Sequence, residues 1–301
     1  MARAPKKQKP HTWWRDYLDL TKPSITAMCV MMTFGGYWLA ARNLSDISWF
    51  HLLVTIVGTT LIVGGSCALN MFMERKNDLL MKRTATRPLP SGRISARAGL
   101  IYALALSIGG FLLLTFMVNA ITGILAAIAL GSYIGLYTPM KRKTPVFLLI
   151  GTIPGAIPPL LGWTAFTGEV QLPGLILFSL LVFWQLPHFL ALSLMLKNDY
   201  AKAGIQVVPL VHGDHRTRLM AFAYTLTLLP VSLALVPLQV AGPLYFAIAL
   251  FAGLWFLWVA WKGLTVNRQK LWPRKLFFAS LIYLPLIALA LFLDMVIPGI
   301  L

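Results

Sequence analysis

LLVTIVGTTLIVGGSCALNMFMERKND, residues 52–78, carries no charge from Leu52 to Met73 and then sets Glu74, Arg75, Lys76 and Asp78 close together. An uncharged apolar run of roughly 17–25 residues is what a helix needs to cross the hydrocarbon of a bilayer. The stretch therefore reads as a membrane span whose end is unusually polar. Such acids are scarce here, because the 301-residue chain has nine Asp and Glu in all.

The rest of the chain has the same character. It is 58% hydrophobic, with a mean hydropathy of +0.76. Nine apolar runs can be counted, at about 24–41, 50–73, 98–118, 120–137, 146–166, 173–195, 219–238, 243–261 and 277–297. The third and fourth are so close that they predict a tight hairpin. The expected fold class is an all-α integral membrane protein with nine transmembrane helices. Residues 1–22 form a cytoplasmic tail and residues 23–301 a single membrane domain. The apolar stretch after the basic N-terminus is a full-length span, not a cleavable leader.

Nine crossings put alternate loops on opposite sides. On that count 25 of the 26 lysines and arginines fall on the side of the N-terminus, and Arg42 is the exception. The positive-inside rule then makes the N-terminus cytoplasmic and leaves the C-terminus outside. The net charge of +17 follows from these loops and from anionic lipid, so no nucleic-acid partner is expected. Cys29 and Cys67 both fall within spans, which gives neither a disulfide framework nor metal-ligand spacing.

Three stretches carry chemistry. In NMFMERKND, Asn70, Glu74 and Asp78 are four residues apart and drift by only about 40° per step, so they share a helix face. Two carboxylates and an amide oxygen suit Mg²⁺, which is commonly held by one or two carboxylates together with substrate phosphates. A plain ion pair of Asp78 with Lys82 is the alternative. The following loop, MKRTATRPLPSGR, supplies Lys82, Arg83, Arg87 and Arg93, and planar arginine forks grip phosphate oxygens in pairs. Acids for a metal beside arginines for an anion describe a metal–diphosphate site.

YTPMKRKTPVFLLIGTIPGAIPPLLGW, 137–163, places Lys141 one turn after Tyr137 and then loads a span with Gly151, Pro154, Gly155, Pro158, Pro159 and Gly162. Breakers persist in a span where neighbours or a cavity satisfy the freed backbone, so a kinked, cavity-lining helix is expected, with close packing as the alternative. FWQLPHFLALSLMLKNDY, 183–200, puts Gln185 and His188 mid-span, beside Trp184 and Pro187, and Lys197 and Asp199 at its end. Polar groups at that depth face a cavity or the bundle interior. Asp16, Asp19 and Asp214 read as solvated, and His212 and His215 as a polar loop.

These segments resemble, in order, the motifs of the intramembrane aromatic prenyltransferases, and within them the heme O synthase branch. NMFMERKNDLLMKRTATRPLPSG resembles the first aspartate-rich motif, while YTPMKRKT, GAIPPLLGW, WQLPHFLAL and KNDYAKAGI resemble later ones; together they extend the likeness over roughly residues 15–300. The resemblance implies farnesyl transfer from farnesyl diphosphate to a vinyl group of heme B, with addition of water. It further implies that Asn70, Glu74, Asp78 and Asp199 hold Mg²⁺ and are catalytic. Lys82, Arg83, Arg87, Lys141 and Lys197 would bind the diphosphate, and Trp184, Gln185 and His188 would lie on the heme side. The resemblance also implies that the nine helices form one bundle around a cavity facing the cytoplasm, and that a heme A synthase or a terminal oxidase is a hand-over partner. A bacterial inner membrane is expected because the short N-terminal tail does not read as a transit peptide, with the mitochondrial inner membrane as the alternative. The departures are Glu74 where the wider superfamily has Asp, and a second motif reduced to Asp199 after Asn198. Both disfavour a quinone precursor as acceptor. A transporter, which also uses broken helices, is the rival from another class.

Overall fold

The computed structural model describes residues 12–42, 44–81, 84–265 and 271–296, and within them there are helices and turns but no strands. A short helix α1 (Trp13–Leu20) leads into α2 (Pro23–Ala41). Helix α3 (Trp49–Asp78) is capped by Ser48, whose hydroxyl accepts from the amide of His51. Helix α4 (Ala96–Leu112) loosens into a π-helical turn at Leu113–Val118. Asn119 alone separates it from α5 (Ala120–Gly131) and caps α5 by accepting from the Thr122 amide. The expected tight hairpin is therefore present.

A second π-helical stretch, Ser132–Tyr137, joins α5 to the single turn α6 (Thr138–Met140). Then follow α7 (Phe147–Thr167), α8 (Leu172–Met195), the short α9 (Lys197–Lys202) and α10 (Val208–Val211), α11 (Gly213–Leu233), α12 (Pro243–Thr265) and α13 (Trp272–Val296).

Among the described residues eight helical stretches, with α4 counted through Val118 and α5 through Met140, are long and apolar enough to cross a membrane. The remaining expected span, 219–238, belongs to α11. That helix opens with the polar Gly-Asp-His-Arg-Thr-Arg and ends at Leu233, with turns before α12. Outward-facing side chains such as Met31, Phe116, Phe251 and Phe278 are well exposed, an apolar girdle that requires lipid around it.

Helix α2 lies between α3 and α7, α8 packs on α7, α11 and α13, and α12 joins α11 to α13. The main core lies among α7, α8 and α11–α13, with Trp163, Trp184, Tyr245, Phe256, Trp272 and Tyr283 buried. A second cluster of Leu20, Met71, Leu89, Ile94 and Ala103 locks the loop after α3 against α1, α3 and α4. That apolar anchoring fixes the part of the basic loop around Leu89 and Ile94.

The tail corrects one expectation. Residues 12–22 are folded, and Asp16, read as solvated, is buried and takes a hydrogen bond from Arg93 Nε at 3.0 Å. The anchored loop brings Arg93 back over α1, so a charge that would be costly alone is paired.

The glycines of α7 serve packing, while Pro159 lines a separate apolar cavity with residues of α2, α8 and α13. A Cβ on Gly162 would lie 1.9 Å from the backbone oxygen of Thr33, and one on Gly36 would lie 2.0 Å from that of Pro159. Helices α2 and α7 thus touch backbone to backbone, the close approach small residues permit. Gly155 meets Gln185, and Gly151 meets the Tyr137 ring. Only Phe147 and Leu148 of α7 reach the cavity described next.

Candidate active site

At the end of the bundle where α3 runs out into its basic loop lies a cavity of about 300 Å³. Asn70, Glu74 and Asp78 line it together, because α3 continues unbroken through Asp78 and keeps all three on one face. Facing them are Lys22, Arg87 and Lys141, with Tyr133 and Tyr137 from the π-helical stretch and Phe189, Leu192 and Ser193 from α8. The wall is thus polar at one end and aromatic or apolar at the other.

Each oxygen donor on α3 already has a cation. Lys22 Nζ donates to Asn70 Oδ1 at 3.1 Å, and Asn70 Nδ2 donates to Thr138 Oγ1 at 3.0 Å. Lys141 Nζ donates to both oxygens of Glu74, at 2.9 and 3.0 Å. Arg87 Nη1 donates to Asp78 Oδ2 at 2.8 Å. Asp78 is thus paired with Arg87. Lys82 and Arg83 lie outside the described residues.

Lys22 was absent from the sequence-derived site, where it counted only as part of a basic N-terminal segment. The structure carries it in at the junction of α1 and α2. Its backbone there is left-handed, at φ +49°, a conformation that costs a side-chain-bearing residue energy and persists where surroundings impose it. The sequence does not signal this turn, because a residue before proline favours extended backbone over the left-handed region. Burial, with Arg87 and Lys141 nearby, holds the Lys22 ammonium below the usual lysine range. Burial pulls Lys141 the same way, but Tyr137, Glu74 and Asp78 outweigh it, so that ammonium is held above its ordinary value. Lys141 Nζ also sits 4.5 Å from the centre of the Tyr137 ring, a cation–π contact.

Other expected residues are not brought to this wall. Asp199 is exposed on α9, and Lys197 turns outward to Asp214 at 2.6 Å. Asp214 is therefore ion-paired, not merely solvated. Their neighbours Tyr200, Ile205 and Val207 do line the cavity, and the amide of Gln206 donates to the carbonyl of Lys141, so the segment after α8 covers one side. Trp184 and Gln185 are buried between helices: Trp184 Nε1 donates to the Ser280 carbonyl, and Gln185 Nε2 to the carbonyls of Leu181 and Thr152. His188 is half-buried, one turn deeper than Leu192 on α8.

Two carboxylates, an amide and three cations around a cavity with a hydrophobic far wall are suited to an anionic head on an apolar tail. The profile of the UbiA prenyltransferase family matches residues 29–282. The chain belongs to the UbiA prenyltransferase family.

Relatives and solved structures agree with that assignment. This UbiA prenyltransferase is 44% identical over 276 residues to a protoheme IX farnesyltransferase of Sorangium cellulosum, covering 88% of its own length and 99% of the relative's. It is 44% identical over 288 residues to one of Solibacter usitatus, covering 93% and 98%. Its fold is that of a digeranylgeranylglyceryl phosphate synthase structure, with a TM-score of 0.83 at 18% identity, covering 94% of this chain and 99% of that one. It is also that of a UbiA homologue from Archaeoglobus fulgidus bound to GPP and Mg²⁺, with a TM-score of 0.68 at 16% identity, covering 94% and 100%.

Among the described residues no cluster of three His, Cys, Asp or Glu side chains could hold a metal alone. The donor set of this UbiA prenyltransferase nevertheless fits a hard cation, provided that substrate phosphates complete the shell. Asn70, Glu74 and Asp78 offer oxygen only, all on one wall of the cavity.

Proposed function

We propose that this enzyme is a heme O synthase, which transfers the farnesyl group of farnesyl diphosphate to a vinyl group of heme B, with addition of water, and releases diphosphate. The observation that carries the reading is the line of Asn70, Glu74 and Asp78 facing Lys22, Arg87 and Lys141 across one cavity. The choice of heme and farnesyl rests on the names of relatives about 44% identical over nearly the whole chain.

Asn70, Glu74 and Asp78 would hold Mg²⁺ against the diphosphate. A bound divalent cation there would neutralise charge on the phosphate oxygens as the leaving group departs. The protein's own cations act at the same oxygens. Lys22, Lys141 and Arg87 leave the α3 oxygens for the phosphates and stabilise the charge that develops on them. Tyr133, Tyr137, Phe147 and Phe189 wall off the allylic carbon from water and offer ring faces to its positive charge. Lys82 and Arg83 of the loop after α3 would add to the phosphate contacts; Lys197 would do the same, and Asp199 would add to the metal's, through an inward turn of the segment after α8.

On the same reading the chain crosses a bacterial inner membrane nine times, with α11 as one crossing, the N-terminus in the cytoplasm and the C-terminus outside. Heme B and farnesyl diphosphate then meet at the cytoplasmic end. The deciding experiment incubates purified protein with heme B, farnesyl diphosphate and Mg²⁺, with and without chelator, and identifies products by mass. A Mg²⁺-dependent heme heavier by farnesyl plus one water is expected. Consumption of farnesyl diphosphate only with 4-hydroxybenzoate or a naphthoate would overturn the choice of heme.

A further inference from the structure

The histidine on α8 is held in a way that fixes which of its nitrogens can react. His188 Nδ1 lies 2.8 Å from Ser280 Oγ on α13, and Ser280 Oγ lies 2.6 Å from the carbonyl oxygen of Phe277 one turn before it. Contacts this short each need a proton between the heavy atoms, since two facing lone pairs at that range repel. A hydroxyl has one proton and a carbonyl has none. The Ser280 proton is therefore spent on Phe277, Ser280 Oγ can only accept from the ring, and the proton in the other contact sits on His188 Nδ1.

The ring is also fixed in plane. Trp184 stacks on it at 5.2 Å between centres and 22°, Phe277 stacks on it at 4.6 Å and 29°, and Phe189 meets it nearly edge-on at 5.7 Å and 64°. Trp184 is itself tied by Nε1 to the Ser280 carbonyl at 2.8 Å. One residue of α13 thus positions both the histidine and the ring that stacks on it.

Among the described residues, the side chains that stack on or bond to His188 are aromatic or hydroxylic, and an imidazolium there would lose its hydration with no carboxylate among them to offset it. The neutral ring with its proton on Nδ1 leaves the lone pair on Nε2. A base would finish the reaction as a cation in these surroundings, whereas a metal ligand stays neutral. Ligating histidines characteristically donate their other N–H to an oxygen, which fixes the tautomer and raises ligand basicity.

We infer that Ser280 is a positioning residue that holds His188 with its proton on Nδ1 and presents Nε2 to the iron of the porphyrin substrate. This rests on the heme reading above and adds to it how the porphyrin is seated relative to α8 and α13.

The test titrates ferric heme B into the purified full-length protein without farnesyl diphosphate, followed by absorption and electron paramagnetic resonance. After reduction, the iron–histidine stretch is recorded by resonance Raman. Wild type is expected to show a histidine-ligated iron. His188→Ala should lose that signature and regain it with added imidazole. Ser280→Ala should bind heme about tenfold more weakly, with the iron–histidine stretch moved to lower frequency, and Ser280→Thr, which keeps the hydroxyl, should restore both. A histidine signature that survives in His188→Ala, or a Ser280→Ala stretch equal to wild type, overturns the inference. Heme O formation by wild type is measured in parallel. If it proceeds while either of those results is found, only the role of Ser280 and His188 falls. If wild type neither ligates heme nor makes heme O, the functional reading falls and the inference with it.

Discussion

Lys141 Nζ bridges both carboxylate oxygens of Glu74, at 2.9 and 3.0 Å, from the opposite wall of the cavity. The same arrangement recurs one turn away on each side, with Lys22 on Asn70 and Arg87 on Asp78. The protein's own cations thus occupy oxygens that face the cavity. On the proposed function a cation–diphosphate pair would fit by exchange of partners: Asn70, Glu74 and Asp78 would hold the cation, and the freed Lys22, Lys141 and Arg87 would hold the phosphates. Neither half alone satisfies the groups that the other leaves exposed.

The Glu74–Lys141 pair can be reversed to separate its two roles. Glu74→Lys combined with Lys141→Glu keeps an ion pair in the same place, so the protein should stay folded, with a thermal midpoint close to wild type. Farnesyl transfer should fall by about 10²-fold or more, because the carboxylate then stands where a phosphate cation is needed. Wild-type turnover in the double variant would sink the assignment of these sides.

Arg87 meets Asp78 through one nitrogen of its fork, and the Thr84 hydroxyl donates to the Asp78 carbonyl, holding the loop in place. Asp78→Ala should abolish turnover while the protein still inserts in the membrane. Arg87→Lys should keep the charge but lose paired hydrogen bonding to phosphate. A raised KM for farnesyl diphosphate, with KM for heme unchanged, is the expected signature in steady-state assays. Equal changes in both constants would mean that Arg87 supports the fold, not the anion.

How much of this was legible varies by residue. Asn70, Glu74 and Asp78 were readable because helical spacing alone sets which residues share a face, and α3 obeys it through its last turn. Arg87 was readable as a basic residue in a constrained loop, although its anchoring by Leu89 and Ile94 needed the tertiary structure. The glycines of α7 were misread in emphasis, since a breaker motif looks the same whether it faces a cavity or another backbone, whereas Pro159 does line an apolar cavity. Lys22 was hidden because its place depends on a turn between two helices that no periodicity encodes. Asp199 and Lys197 lie at the end of a span, where one turn more or less of helix sends a side chain inward or out.

Lys22 follows as the strictest test of the structure over the sequence. Lys22→Ala should raise KM for farnesyl diphosphate about tenfold or more while leaving membrane insertion intact, because its ammonium faces the cavity beside Asn70. A charge that served only membrane orientation would be replaceable at no cost in KM, given the other basic residues of the tail. Lys22→Arg should recover part of the loss. An unchanged KM in Lys22→Ala would remove Lys22 from the site.

The seam between α2 and α7 gives a prediction about stability. At Gly162 an added methyl would meet the Thr33 carbonyl at 1.9 Å and the Tyr37 amide nitrogen at 2.7 Å, both backbone atoms that cannot rotate away. Gly162→Ala must therefore push the helices apart, and overpacking of this kind costs about 1–3 kcal/mol. Gly35→Ala, on the same seam's outer side, meets nothing within 4 Å and should be neutral or slightly stabilising, since alanine is the better helix former. Thermal unfolding of the two variants in one detergent should show a midpoint lowered by several degrees for Gly162→Ala only. Equal midpoints would mean that α2 and α7 can separate freely at this point, and the backbone contact between them would contribute little to holding the bundle.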